Sequence, residues 1–327
     1  MYTKKTVLLT SVAAFSMAAL TACSSADGGS GDQNADGYSP GERITMTVPF
    51  SAGGGSDLAG RATASGLEDV TGSTITVENR EGGSGAVGYS HFMGQEGDPT
   101  QLLATETALM ALPLVQDVQF DYNTFTPIMK MGDDYTLVTV TPDSPYETCS
   151  DVVDAARDGR VVAAVSGATS LDEIVFSLIE DDQDVEFDRV PYESGSEVLA
   201  GLLGGHVDVA SLNPGEIAGQ LESGDLKALC ALAPERYEYD LLADIPTGQE
   251  QGIDVAFAQF RGYIAPGGIE EEAKQYWIEA GQEFEQTEAF TEYIESNFMQ
   301  AAPLYGDDFT AYLDEYNENL KQGLGVE

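Results

Sequence analysis

Positive charge is the scarcest property of this 327-residue chain: 14 Lys and Arg stand against 56 Asp and Glu, a formal net charge of −42. That balance excludes a nucleic-acid or anionic-lipid surface, since both need basic patches. It suits a salty medium, where a short Debye length relieves the self-repulsion of an acidic surface. Histidine is limited to two residues and cysteine to three. His91 and His206 lack metal-ligand spacing with each other or with the cysteines, so neither metal nor cofactor is expected. His206, between Gly205 and Val207, reads as a surface turn residue rather than a base. No G-x-S-x-G nucleophile elbow occurs, and Ser194 in VPYESGSE lacks a partner histidine. Pairs of carboxylates carry no information in so acidic a chain. Catalysis is not expected.

Long apolar runs are also missing beyond the N-terminus, so no later segment is expected to span a bilayer. The chain opens MYTKKTVLLTSVAAFSMAALTACSS. Lys4 and Lys5 give a positive start, Val7 to Leu20 a short apolar run, and Leu20-Thr21-Ala22-Cys23 resembles the lipobox of bacterial lipoproteins. Residues 1–22 read as a lipoprotein signal peptide, with Cys23 lipidated through its thiol as the mature N-terminus. Residues 23–40, rich in Ser, Gly, Asp and Asn, read as a flexible tether. The folded part is then extracytoplasmic, anchored to the cell membrane by lipid alone, and carries −44 once Lys4 and Lys5 are removed. Cys149 and Cys230 remain, in a compartment that permits oxidation. A disulfide and two free buried thiols both stay open, because sequence supplies no distance.

From about Gly41 onward, strand-like and helical runs alternate. RITMTVPF, STITVEN, QLLATE, TLVTVTPDS, RVVAAVSG, EFDRVPY, HVDVASLN, LKALCALA and FAQFRGYIAP read as strands. Between them lie helical runs such as SDLAGRATASGLEDV, capped by Ser56 or Asp57, and TALMALPLVQ, interrupted by Pro113. The tail from Glu270 to Gly323 reads as mostly helical. Alternation of this kind predicts an α/β fold with two mixed, mostly parallel sheets flanked by helices. Crossings near Leu137–Thr141 and Phe257–Ala265 divide it into domain I (41–140 plus 255–327) and domain II (141–254). Ligands of such folds bind at loops beyond the carboxyl ends of strands.

Glycine-rich or hydroxyl-rich loops occupy four of those positions. VPFSAGGGSD (Val48–Asp57) ends a strand and starts a helix, so exposed N–H groups and the positive helix end favour an anion. NREGGSGAVG (Asn79–Gly88) is similar, VSGATSLDE (Val165–Glu173) precedes a helix, and SLNPGE places Asn213 before Pro214 at a helix start. Gly83, Gly85 and Gly88 spell G-x-G-x-x-G, with Glu106 ending the next strand-like run, which is the pattern of a dinucleotide loop. The extracytoplasmic leader argues against that, since dinucleotide pools are cytoplasmic. Four anion loops at strand-to-helix junctions instead suggest a cleft for carboxylates.

VPFSAGGGSDLAGR (Val48–Arg61), VENREGGSGAVG (Val77–Gly88), FTPI (Phe125–Ile128), LLGGHVDV (Leu202–Val209), GDLKAL (Gly224–Leu229), DIPTGQEQG (Asp244–Gly252) and FRGYIAPGG (Phe260–Gly268) resemble in content and order the extracytoplasmic solute receptors of tripartite tricarboxylate transporters, the Bug or TctC-like family. The resemblance covers essentially the whole mature chain. It implies a two-lobed periplasmic-binding-protein fold (type II, Venus flytrap) that closes on a small organic carboxylate. It also implies delivery to a permease of one large and one small membrane subunit, and a monomeric receptor. Carried over by position, the ligand-binding residues are Phe50, Ser51, Ala52, Gly53, Gly54 and Asp57 in the first loop, and Gly83, Ser84 and Gly85 in the second. Thr105 joins them, with Ser166, Gly167, Thr169, Ser170, Tyr192 and Asn213 on the opposite side. Glu81 stands where the family usually has proline, and Phe257 and Phe260 where tryptophan is common; these differences bear on ligand identity. Asp57 would repel an anion if it pointed inward, so its expected role is to cap its helix or anchor its loop. Arg61, Arg80 and Arg261 lie inside family motifs and are candidates to offset the negative field. A ligand-presenting receptor for a sensor system and a lipoprotein enzyme acting on carboxylic acids are the alternatives.

Overall fold

The computed structural model describes residues 38–167, 170–192, 194–324 and 326. Cys23, its leader and Thr169 lie outside them.

The first half-lobe is built from β1 (Arg43–Val48), α1 (Gly55–Thr71), β2 (Thr74–Asn79), α2 (Ala86–Met93), β3 (Gln101–Thr105), α3 (Ala108–Val115) and β4 (Phe125–Asp134). The chain then crosses, and β5 (Leu137–Val140), α4 (Cys149–Asp158), β6 (Val162–Val165), α5 (Leu171–Gln183), β7 (Asp188–Pro191), α6 (Gly195–Leu203), β8 (Val209–Leu212), α7 (Pro214–Ser223) and β9 (Lys227–Ala231) form a second lobe. It returns through β10 (Gln259–Pro266), α8 (Glu271–Phe284), α9 (Glu288–Ser296), β11 (Gln300–Tyr305) and α10 (Gly306–Gly323). Among the described residues there are two sheets, six-stranded in the order β11-β4-β10-β3-β1-β2 and five-stranded in the order β7-β6-β8-β5-β9.

Both sheets are mixed, as expected. Their parallel share is smaller than the alternating pattern suggests, because β10 runs antiparallel to both β3 and β4, and β5 antiparallel to both β8 and β9. The parallel pairs β1–β2, β1–β3, β6–β7 and β6–β8 remain, and they direct the loops that matter. β5 belongs to the second sheet, so the chain first passes between the sheets at Tyr135–Thr136. The helical tail contains β11, and β4 is a long strand that the sequence reading did not assign.

Close packing fixes α1 against the first sheet. A Cβ at Gly60 would lie 2.6 Å from Val48 Cγ2, and one at Gly66 would lie 2.2 Å from the Phe284 ring, so only glycine lets this helix approach β1 and α8 so closely. The helix starts at Gly55 with Gly54 as its N-cap and no side-chain cap, which corrects the assignment of that role to Ser56 or Asp57. Three second-lobe helices keep side-chain caps, Thr148 on α4, Ser170 on α5 and Ser194 on α6, while α7 starts after Asn213 without one. Cys149, at the start of α4, is disulfide-bonded to Cys230 in β9, with Cα atoms 5.9 Å apart. α10 lies across the crossings: Tyr316 Oη donates to Ala258 O at 2.8 Å, and its ring packs on Phe257 and Phe260.

Candidate functional site

Loops from the carboxyl ends of β1, β2, β6, β7 and β8 converge on one cleft of about 640 Å³. This is where parallel strands hand their chain to a helix, and where helix N-termini leave N–H groups free. From the expected set, Phe50, Ser51, Gly54, Gly83, Ser84, Gly85, Ser166, Gly167, Ser170, Tyr192 and Asn213 line this cleft. Ala52, Gly53, Asp57 and Thr105 are not part of its lining.

Asp57 stands behind the first loop. It is buried, and its carboxylate accepts from Gly53 N–H at 2.9 Å, Arg61 Nε at 2.8 Å and Asn79 Nδ2 at 2.9 Å. Asn79 also donates to Phe50 O at 3.0 Å. The loop is therefore anchored at both ends from below. Burial pushes the Asp57 carboxyl up, but the bonds from Arg61, Gly53 and Asn79 outweigh it and hold the pKa below its ordinary value. Thr105 is likewise buried, with Tyr89 Oη 3.3 Å from its hydroxyl.

The second loop is a run of left-handed residues: Gly82, Gly83, Ser84 and Gly85 have φ of 133°, 58°, 54° and 100°. Ser84 is a non-glycine residue in that region, a local strain of about 1–2 kcal/mol of the kind that binding loops retain. A Cβ at Gly85 would sit 3.2 Å from both Phe50 Cζ and Tyr89 Cε2, so glycine is required there by φ and by space. Glu81 accepts the Ser51 hydroxyl and ties the two loops together.

On the cleft floor, Arg261 of β10 is 6% exposed and fully engaged. Its guanidinium pairs with Glu106, donates to Ser56 Oγ at 3.3 Å, and reaches Asp134 Oδ2 at 3.2 Å. With its amide oxygen turned toward Arg261, Gln259 accepts from the same guanidinium at 2.6 and 3.1 Å. Burial raises the Asp134 pKa, and Arg261 opposes the rise. A Cβ at Gly55 would lie 2.6 Å from Arg261 Nη2, so the glycine at the head of α1 makes room for the guanidinium. The other two candidate arginines make outer pairs, Arg61 with Asp57 and Arg80 with Glu78 at 2.8 Å.

The second-lobe wall carries two further acids. Asp172 accepts from Ser166 N–H at 2.7 Å, Ser166 Oγ at 3.0 Å and Glu173 N–H at 3.1 Å. Burial raises its pKa, against the bonds from Ser170 and Ser166. Glu216, in the first turn of α7, is exposed to the open cleft yet ringed by protein. That surrounding protein pushes its pKa up to about 7; Asp134, Asp172 and Glu106 add to the shift and Arg261 opposes it.

The charged residues of the lining all lie outside the expected set: Glu81, Glu106, Asp172, Glu216 and Arg261. In the sequence, Glu106 stood out for its place after a strand, where it pointed to a ribose, and Glu81 and Arg261 for their places in family motifs. Among the described residues, no group of three His, Cys, Asp or Glu is placed to hold a metal ion.

A family model described as the tripartite tricarboxylate transporter family receptor, TctC, matches residues 59–320. The chain belongs to this family. Protein BugT of Bordetella pertussis is 27% identical over 244 residues, 72% of this chain and 74% of BugT. An R. palustris protein solved with adipate is 22% identical with a TM-score of 0.78, covering 87% of the receptor and 98% of that chain. MatC from Rhodopseudomonas palustris, with bound malate, is 19% identical with a TM-score of 0.76, covering 86% and 99%. The receptor therefore has the periplasmic-binding-protein fold, and its family consists of extracytoplasmic solute-binding proteins rather than enzymes.

Proposed function

We propose that the receptor is lipid-anchored through Cys23, captures a small organic carboxylate between its lobes, and delivers it unaltered to the large and small subunits of a tripartite permease. One observation carries this reading: two glycine loops at the carboxyl ends of β1 and β2 face the helix starts of α5, α6 and α7 across one cleft of about 640 Å³. Backbone N–H groups at such junctions bind carboxylates without needing a cation. The lobes hinge at Tyr135–Thr136 and in the segment before Gln259, and the receptor acts as a monomer. Malate and adipate in structural neighbours support a carboxylate ligand in this cleft.

A thermal-shift and calorimetric screen over organic acids tests the reading. A ligand at a hundred times its dissociation constant should stabilise the fold by about 2.7 kcal/mol and be recovered unchanged. Gly85→Val should abolish that binding, because a branched side chain meets Phe50 and Tyr89 and disfavours φ of 100°. Full affinity in that variant would put the site elsewhere. Cys23→Ser should move the protein from the membrane to the soluble fraction.

A further inference from the structure

Among the described residues, Glu216 is the one cleft carboxylate left over after the others are paired. Glu106 is taken by Arg261 and Ser56, Asp172 by Ser166 and the start of α5, and Glu81 by Ser51. Glu216 makes no hydrogen bond or ion pair among the described residues. Its position is nevertheless defined: a Cβ at Gly195 would lie 2.8 Å from Glu216 Oε2, so the carboxylate rests against the start of α6 while standing in the first turn of α7.

Three hydroxyls on that wall present the same polarity. Ser166 donates its hydroxyl proton to Asp172, Ser170 donates to Gly167 O at 2.6 Å, and Ser211 donates to Thr136 Oγ1 at 2.7 Å. Each of these hydroxyls has one proton, already committed, so what it offers the cleft is a lone pair. Arg261 is the single cation lining the cleft among the described residues, and its guanidinium is shared by two acids. Beside Glu216 and these hydroxyls, a second carboxylate on the ligand would find acceptors and an unpaired like charge. A cationic group would find both an ion-pair partner and acceptors.

We propose that Glu216 receives a cationic group of the ligand, so that the receptor's solute is an amino-carboxylate with separated charges, its carboxylate on the glycine loops and its ammonium on Glu216. This rests on the reading of the cleft as a carboxylate site. The opposing carboxylate then works as selection against dianions, since placing like charges together in a desolvated cleft costs more than either pairing returns. Protonation of Glu216 removes the ammonium's partner. The groups facing it are Asp134, Asp172 and Glu106, which hold its proton on, and Arg261, which opposes them. Affinity for the amino-carboxylate should therefore be full near pH 8 and fall through the region of pH 7.

Calorimetry at pH 8 with ω-amino acids and α,ω-dicarboxylates of matched chain length tests the proposal. In the wild type, the ω-amino member of the binding pair should be at least about tenfold tighter, equivalent to roughly 1.4 kcal/mol. Glu216→Gln should erase or reverse that preference with the circular-dichroism spectrum unchanged, and Gly85→Val should abolish binding of both members. A dicarboxylate that binds more tightly than its amino partner, and depends on Gly85, overturns this proposal and leaves the carboxylate site standing. A dicarboxylate whose affinity rises below pH 7 and is lost in Glu216→Gln also overturns it, by making protonated Glu216 a donor. If no carboxylate of either series binds, the carboxylate site itself falls, and this proposal with it.

Discussion

Asp57 shows how one acid in a very acidic chain can serve an anion site without touching the anion. Its three donors come from the loop, from its own helix and from β2, so Asp57→Ala would leave Gly53 N–H without its acceptor and Asn79 Nδ2 with Phe50 O alone. The expected loss is about 1–3 kcal/mol at pH 7. Because its folded pKa is depressed, its contribution is present above the unfolded value of about 3.9 and lost as pH falls through the folded pKa. Urea unfolding should therefore separate variant from wild type at pH 7 and bring them together in strong acid. Asp57→Asn keeps the shape and should hold ligand affinity within about tenfold, since a lost anchor costs roughly 1 kcal/mol. Complete loss of binding in a folded Asp57→Asn would place its carboxylate on the ligand. Residues such as Ser51, Gly54 and Gly85 were legible because glycine between a strand and a helix has few other uses. Glu216 was not, and Arg261 only as a candidate to offset the negative field, because their roles depend on partners far away in sequence: Arg261 meets Glu106 across 155 positions. With 56 acids in the chain, no single one carries a signal until its neighbours are known.

At the scale of elements, the strands that were missed share a cause. β4 reads FTPIMKMGDD, where Pro127, Gly132 and a double aspartate blur the apolar pattern, although the strand is held between β10 and β11. β11 is an edge strand that contains Pro303, and its pairing with β4 slips between Ala301 and Leu304. Proline is tolerated at such an edge because no ladder donor is needed there. Pairing context made both strands, and local propensity did not. The disulfide is another non-local feature, since it joins α4 to β9 across 81 residues. Cross-linking a loop of that size restricts the unfolded chain, so reduction should cost about 2–4 kcal/mol. Thermal melts with and without a phosphine reductant should differ by several degrees, roughly 2–4 °C per kcal/mol at this chain length. Coincident melts, with thiol release confirmed, would show that α4 and β9 hold together without the bond.

On the scale of the whole molecule, a net charge of −42 must let a solute reach a cleft whose lining, among the described residues, carries four carboxylates and one paired arginine. Arg61 and Arg80 are tied to Asp57 and Glu78, so they form no positive funnel toward the loops. Long-range repulsion acts mainly on the rate of encounter, while short contacts inside the closed cleft are screened far less. Raising NaCl from about 0.02 to 1 M shortens the Debye length from tens of ångströms to ~3 Å. For a dicarboxylate probe the association rate should rise across that range. A ω-amino carboxylate has no net charge, so its association rate should stay nearly flat, while its dissociation should quicken somewhat as salt competes for the ion pair with Glu216. Trp277 is buried in the first-lobe core with its Nε1 on Pro99 O, and is a poor reporter; Tyr192 lines the cleft and is the better source of a stopped-flow signal. A steep fall in association rate with salt for the dianion would mean that a positive field guides it. That result would contradict the pairing of every arginine described near the cleft.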